Sequence, residues 1–142
     1  MSLTEAEIAT LHQRATEAAH NSYSPYSHFR VGAAILLHAD EKQDGAIVTG
    51  TNVENASYRL TSCAEQAAIA AAVTLHGPAI RIRAVAIANL NGATCMPCGA
   101  CRQTILEFAT PDTAIFYPTA SGETISTTLS ALLPAAFKLL PE

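Results

Sequence analysis

The four cysteines constrain this chain more than any other feature of it. Three lie in Thr94-Cys95-Met96-Pro97-Cys98-Gly99-Ala100-Cys101-Arg102-Gln103, and the fourth in Thr61-Ser62-Cys63-Ala64-Glu65. Cys98 and Cys101 have the C-x-x-C spacing of a metal-ligand pair, with Pro97 and Gly99 shaping the turn between them. Ile105, Leu106, Phe108 and Ala109 then recur at helical spacing, so the pair sits where a loop becomes a helix. Cys63 opens a second apolar segment the same way, with Glu65 two residues on. If the two helix starts converge, three thiols meet on one cation. The pattern predicts a zinc site with Cys63, Cys98 and Cys101 as ligands and Glu65 beside the metal as a non-ligand.

The chain has 142 residues and no repeat, low-complexity run or linker, so residues 1–142 are expected to form a single domain. The net charge of −4 argues against a large phosphate-binding face, and hence against nucleic acid as a partner. The start, Met1-Ser2-Leu3-Thr4-Glu5-Ala6-Glu7, lacks the basic and apolar regions of a signal peptide. No unbroken apolar stretch is long enough to span a bilayer. The expectation is a cytoplasmic protein with no membrane partner. In a reducing compartment, clustered cysteines read as metal ligands before disulfides.

Along the chain, residues 4–20 read as a helix. Thr4 and Glu7 make a capping box, and Ile8, Leu11, Ala15 and Ala18 make one apolar stripe. Residues 21–27 break the pattern. With Phe29, Tyr23 and Tyr26 form either one wall of a pocket or a surface turn with aromatics tucked under it. Residues 31–38 are apolar almost throughout, as in a buried strand, and 46–50 form a second strand. The polar turn at 39–45 makes the two a hairpin. Asn52 and Glu54 follow a strand end, where they can bind a small polar ligand or satisfy their own loop backbone.

Ser62 reads as the N-cap of the next helix with Glu65 at N3, an arrangement common at helix starts that do no chemistry. That helix runs to about His76, where Gly77-Pro78 stops it. Its many alanines suit close packing against another subunit, or simply helix propensity. Residues 82–90 form a strand. Asn91-Gly92 turns into the cysteine loop, and the second cysteine helix runs to about Ala109, stopped by Pro111. Strands at 113–117 and 124–128 follow, then a short helical tail at Leu129, Leu132 and Leu133. The order predicts a three-layer α-β-α domain around a mixed sheet of about five strands.

Four cysteines also permit a closed, all-thiolate structural site. The spacing argues against it, because Cys63 has no partner nearby in sequence and Cys95 lies upstream of the rigid Met96-Pro97 turn. Three thiolates on Zn²⁺ carry a net charge of −1. Two helix N-termini aimed at the cluster offset it, and Arg102 or Gln66 can add a donor. Glu65 can then take a proton from a bound water and return it to the substrate. This chemistry fits hydrolytic displacement of an amine from an amidine-like carbon.

Thr61-Ser62-Cys63-Ala64-Glu65 together with Pro97-Cys98-Gly99-Ala100-Cys101-Arg102-Gln103 resembles the cytidine deaminase family in its small homotetrameric form, whose signature and mechanism are established for zinc deaminases. Tyr23-Ser24-Pro25-Tyr26-Ser27-His28-Phe29, continuing into the strand, is similar to the family's N-terminal pocket segment. Asn52-Val53-Glu54-Asn55-Ala56-Ser57-Tyr58 is similar to its nucleoside-binding segment, and Leu132-Leu133-Pro134-Ala135-Ala136-Phe137 to its C-terminal motif. The resemblance implies one Zn²⁺ per subunit on Cys63, Cys98 and Cys101, and Glu65 as proton shuttle. It implies base contacts from the Ala64 N–H, the Met96 carbonyl and the Phe29 ring, and ribose contacts from Asn52 and Glu54. Ala56, Tyr58 and Phe137 are implied to reach a neighbouring subunit's site in a homotetramer. The implied reaction converts cytidine and 2′-deoxycytidine to the uridines, in pyrimidine salvage.

The chain departs from the family pattern at three places. Gln66 stands where arginine usually follows the glutamate, and a neutral amide offsets the cluster's charge less. Arg30 replaces a usual proline, and Lys138-Leu139 follows Phe137 in place of a common Gly-Pro. A blasticidin-type deaminase shares the zinc motif but lacks the Asn-x-Glu-Asn segment. A non-catalytic zinc module is the reading from outside the enzymes.

Overall fold

Thr4 caps the first helix as its spacing from Glu7 predicts. The Thr4 side chain accepts from the Glu7 N–H at 3.1 Å, and the Glu7 carboxylate accepts from the Thr4 N–H at 3.0 Å. The computed structural model describes residues 2–40 and 45–140, so most of the turn expected at 39–45 lies outside the described residues. The order is α1 (Glu5–Ala19), β1 (Val31–Leu37), β2 (Ile47–Thr51), a 3-10 turn (Tyr58–Leu60), α2 (Ala64–His76), β3 (Ile82–Asn89), α3 (Gly99–Leu106), β4 (Ala109–Pro118), β5 (Thr124–Thr128) and α4 (Leu129–Leu132). This is the predicted order of elements.

The strands form one sheet in the order β2-β1-β3-β4-β5, antiparallel except for the parallel β3–β4 pair. β1 is buried along its whole length, which is why its sequence is apolar at successive positions rather than alternate ones. Val31, Ala33, Ile35 and Leu37 face α2, whose Ala64, Ala68, Ile69 and Ala72 join the same core. Ala34 and Leu36 face α1 through Leu11 and Ala15. The period of two thus places one helix on one face and α2, with Ile105 of α3 and Leu129 of α4, on the other. These are the three layers expected.

Two boundaries differ from the sequence reading. On α1 the buried residue after Ala15 is Ala19 rather than Ala18. The helix expected to run to Ala109 ends at Leu106, and Ala109 already pairs with Ile82 in the sheet. Pro111 therefore lies inside β4, at an irregularity of the β3–β4 ladder, where its missing N–H costs no bond. Thr113 bridges the break, donating to the Ile82 carbonyl at 2.8 Å and accepting from the Thr110 N–H at 2.9 Å.

Topology positions the site. β2 and β3 are both antiparallel to β1, so they run in the same direction. Their carboxyl ends lie at one edge of the sheet, and α2 and α3 start there. β1 begins at that same edge, which brings the loop before Val31 to it. Crevices outside the carboxyl ends of strands are the usual ligand sites of α/β sheets.

Candidate metal centre and active site

Both helices that start at this edge are capped by a cysteine. Cys98 is the N-cap of α3, its Sγ accepting from the Cys101 N–H at 3.4 Å. Cys63, not Ser62, is the N-cap of α2, and N3 is Gln66, not Glu65. The Cys63 sulfur accepts from the Gln66 N–H, while Gln66 Oε1 accepts from the Cys63 N–H at 3.1 Å. This capping box is shifted one residue from the predicted one. The shift releases Glu65 from capping, because an N-cap partner must sit at N3 and Glu65 is at N2.

The sulfurs of Cys63, Cys98 and Cys101 lie within 4.8 Å of one another. A tetrahedral zinc with bonds of about 2.3 Å separates its sulfurs by about 3.8 Å, so the donor set fits that ion. Cys101 is fully buried and Cys98 is exposed, so the cluster spans from core to solvent. The Cys63 thiol is lowered to about 7, chiefly by the hydrogen bond from Cys101, while Cys101 is pushed up by the same contact. Three thiolates this close need a cation to share before all can ionise.

Cys95 is outside the cluster. Its N–H donates to the Pro118 carbonyl at 3.1 Å, and burial pushes its thiol up to about 11. Three protein donors match the count of a catalytic zinc site rather than a closed one.

Glu65 is 4 % exposed. Burial pushes its carboxyl above the ordinary range, while its own backbone N–H and the Cys101 side chain pull the other way. Among the described residues no ion pair to it is found. A buried carboxylate without a cationic partner, beside a thiol cluster, is costly for the fold and useful for moving a proton.

Three loops are stitched together beside this cluster. Val53 pairs with Ser62 through two hydrogen bonds of 2.9 Å, and with Tyr23 as an isolated parallel bridge. Asn52 is their hub. Its Oδ1 accepts from the Val31 N–H at 3.0 Å and from the Ser22 hydroxyl, and its Nδ2 donates to the Phe29 carbonyl at 2.7 Å. Glu54 accepts from the N–H groups of Tyr26 and Ser27 at 2.9 and 3.2 Å, and from the Ser27 hydroxyl, which holds its carboxyl below the ordinary range. Both side chains therefore organise the Tyr23–Phe29 loop and the start of β1 rather than the backbone of their own loop. One Nδ2 hydrogen of Asn52 has no role in these bonds. Asn52→Ala is expected to cost about 2–4 kcal/mol in a urea melt, because it strands the Val31 N–H and the Phe29 carbonyl.

The remaining predicted residues are placed unequally. Ala64 is buried as the first residue of α2, and Phe29 packs at the margin of the α2-side core. Met96 is half exposed. Tyr58 stands out at 77 % exposure, meeting Tyr26 edge-on at 6.5 Å, and Ala56 is exposed beside it. A cavity of about 370 Å³ lies here, lined by Tyr26, Ser27, Glu54, Asn55, Tyr58 and Thr61. Phe137 is not brought to this edge within the chain. It is 71 % exposed and lines a separate groove with Arg81 and Glu107.

Arg102, one of the two side chains that could add a donor to the cluster, has its guanidinium on other partners, including the Met96 sulfur at 4.0 Å. Its guanidinium donates to the carbonyls of Pro97 at 2.8 Å and Leu132 at 2.9 Å, bracing the cysteine turn against α4. Sequence reasoning missed Asn91, read only as part of a turn. Its Oδ1 accepts from the Arg30 N–H and its Nδ2 donates to the His28 carbonyl, both at 2.9 Å, tying the aromatic loop to the approach to Cys98. The positive φ of His28 marks a strained loop needing such a clamp, but no sequence signal pairs the two residues.

The sequence matches the family described as "Cytidine and deoxycytidylate deaminase zinc-binding region" over residues 6–117. The chain belongs to that family. The family's zinc-binding character agrees with the cluster formed by Cys63, Cys98 and Cys101. Among its relatives, a cytidine deaminase of Mycobacterium tuberculosis is 43% identical over 129 residues, covering 91% of this chain and 88% of the relative. One from Halalkalibacterium halodurans is 39% identical over 126 residues, covering 88% and 89%. The crystal structure of the Mycobacterium tuberculosis cytidine deaminase superposes with a TM-score of 0.79 at 42% identity, covering 94% of this chain and 98% of that one. The cytidine deaminase of Burkholderia pseudomallei gives 0.81 at 35% identity, covering 95% and 100%. The five-stranded mixed sheet with its flanking helices is the fold of this family. Among the described residues no helix is long and apolar enough to cross a membrane.

Proposed function

We propose that this protein is a zinc-dependent deaminase that hydrolyses cytidine and 2′-deoxycytidine to the corresponding uridines, releasing ammonia. The observation that carries this reading is the convergence of three cysteine sulfurs with a buried glutamate at the starts of two helices. Membership of the deaminase family and the names of the relatives support the substrate. Cys63, Cys98 and Cys101 would hold one zinc ion. When bound, that ion supplies the Lewis acidity that makes water reactive at neutral pH.

The chain's own groups do the rest. Glu65 takes a proton from water and passes it to the ring nitrogen next to the amino-bearing carbon; once the hydroxyl has added to that carbon, Glu65 takes that hydroxyl's proton and gives it to the amine, which leaves as ammonia while the carbonyl forms. Its buried setting keeps bulk water from competing for that proton. The first-turn N–H of Ala64, free of any helical partner, holds the base carbonyl. The carbonyl of Met96 accepts from the amino group, and Phe29 stacks on the ring. Asn52 and Glu54 face the ribose 3′-hydroxyl with whatever capacity the Tyr23–Phe29 loop leaves them. Ala56, Tyr58 and Phe137 complete the site of a neighbouring subunit in a homotetramer. Their exposure, and that of Leu60, Leu75, Leu139 and Leu140, supports burial against other copies. The cytoplasm is the proposed location.

The test is ammonia release with cytidine, deoxycytidine and blasticidin S, alongside zinc per chain and molar mass in solution. Turnover of the first two, one zinc per chain and a mass of four chains are expected. Turnover of blasticidin S alone would move the chain to the other deaminase type.

The Gln66 side chain does not do the work expected of an arginine: its oxygen accepts from the Cys63 N–H, and only its backbone N–H reaches the Cys63 sulfur. Gln66→Ala removes the acceptor for the Cys63 N–H. It is expected to cost about 1 kcal/mol of stability and to speed zinc loss to a chelator. An unchanged chelation rate would separate the cap from the metal.

A further inference from the structure

Two glycines sit where a helix backbone presses directly on the sheet. A Cβ at Gly32 would lie 1.9 Å from the Ala15 carbonyl oxygen and 2.5 Å from the Ala19 nitrogen, both on α1. A Cβ at Gly50 would lie 2.3 Å from the Ala68 nitrogen and 2.6 Å from the Ala64 oxygen, both on α2. Neither has a positive φ, so space rather than backbone conformation requires glycine at each. The two contacts are alike in kind. They differ in what the pressed helix carries.

α1 carries no residue of the metal centre. α2 carries Cys63 as its N-cap and Glu65 in its first turn, and Ala64 to Ala68 is the span over Gly50. The hypothetical methyl would fall between the Ala64 oxygen and the Ala68 nitrogen, the pair that a helix joins by a hydrogen bond in its first turn. These obstructing atoms are backbone, so no side-chain rotation relieves the clash. The first turn must move outward by about 1 Å to restore ordinary contact. Cys98 and Cys101 ride on α3 and would not follow. Relative displacement of one ligand and the carboxylate against two fixed ligands is the error such a centre tolerates least.

We infer that Gly50 is a positioning residue of the metal centre: its missing side chain sets the height of the first turn of α2, and so the distance of Cys63 and Glu65 from Cys98 and Cys101. The inference rests on the deaminase reading for its effect on turnover, but not for its effect on the metal.

Gly50→Ala and Gly32→Ala form a matched pair, each read with Co²⁺ in place of Zn²⁺. The sulfur-to-cobalt charge-transfer and ligand-field bands report the geometry of the three thiolates without any substrate. In Gly50→Ala the bands are expected to shift or weaken. Metal loss to a chelator should quicken at least ~10-fold, and kcat should fall ~100-fold with less change in KM. In Gly32→Ala the bands stay those of the natural protein and the chelation rate is unchanged, even where the melting temperature falls as far. If Gly50→Ala does not fold, Val48→Ile presses on α2 from the same face of the same strand. It should shift the cobalt bands in the same direction, by less.

Unshifted cobalt bands in folded Gly50→Ala, with metal lost to a chelator no faster than in Gly32→Ala, overturn the inference and leave Gly50 a packing residue. A natural protein that binds cobalt through sulfur but releases no ammonia from cytidine overturns the deaminase reading instead. The band shift in Gly50→Ala would then still carry the positioning role.

Discussion

Glu65→Gln is expected to retain one zinc per chain and to lose turnover of cytidine by about four orders of magnitude in kcat/KM. That loss corresponds to about 5–6 kcal/mol of transition-state stabilisation, the upper range for a positioned acid–base group. The amide has the shape of the carboxylate but cannot carry the proton between water, ring nitrogen and amine. The fold should not suffer. Glu65 is buried and its charge is disfavoured there, so neutralising it removes a desolvation cost. The melting temperature is therefore expected to stay level or rise. Activity within about tenfold of the natural enzyme would remove Glu65 from the chemistry. Loss of zinc would instead make it a metal-site residue.

Cys101→Ala and Cys95→Ala should differ more than any other pair of like substitutions in the chain. Both remove a thiol from the same loop and helix start, six residues apart. Cys101 is one of the three converging sulfurs and is fully buried. Its loss leaves two donors, too few for a held zinc ion, and strips the metal's contribution to stability from the folded state. Zinc content near zero, no detectable deamination and a lower melting temperature are expected. Cys95 contributes packing and a backbone bond to Pro118. Its alanine variant is expected to keep full zinc and activity within about threefold, at a cost of about 1 kcal/mol for the removed sulfur. Elemental analysis of the two purified proteins decides this. Zinc lost in both would return the closed four-thiolate site to consideration.

Much of the molecule is legible in the sequence. The capping box of α1, the unbroken apolar run of β1 and the Gly77 stop of α2 rest on local rules, and each appears where those rules put it. The misreadings share a cause. Ser62 and Glu65 satisfied the capping pattern as well as Cys63 and Gln66 did, because two overlapping four-residue windows competed and sulfur is not an expected cap. α3 was read too long because Phe108 and Ala109 keep helical spacing, although pairing with Ile82 draws Ala109 into a strand. Tertiary pairing overrode local periodicity at both the end of α3 and Pro111.

The sequence by itself determined the donor set, the element order and the family. Ligand spacing, hydrophobic period and turn residues are properties of neighbours along the chain. Only the folded chain decided which side chains spend their hydrogen bonds on the protein. Asn52 and Glu54 bind the aromatic loop, Arg102 braces the Pro97 and Leu132 carbonyls, and Asn91 reaches across 61 residues to Arg30. Such partners are chosen by the strand order, which sets the starts of β1, α2 and α3 at one edge. The bareness of Gly50 beneath α2 acquires meaning only there, since a glycine in a strand shows nothing of the helix that will lie on it.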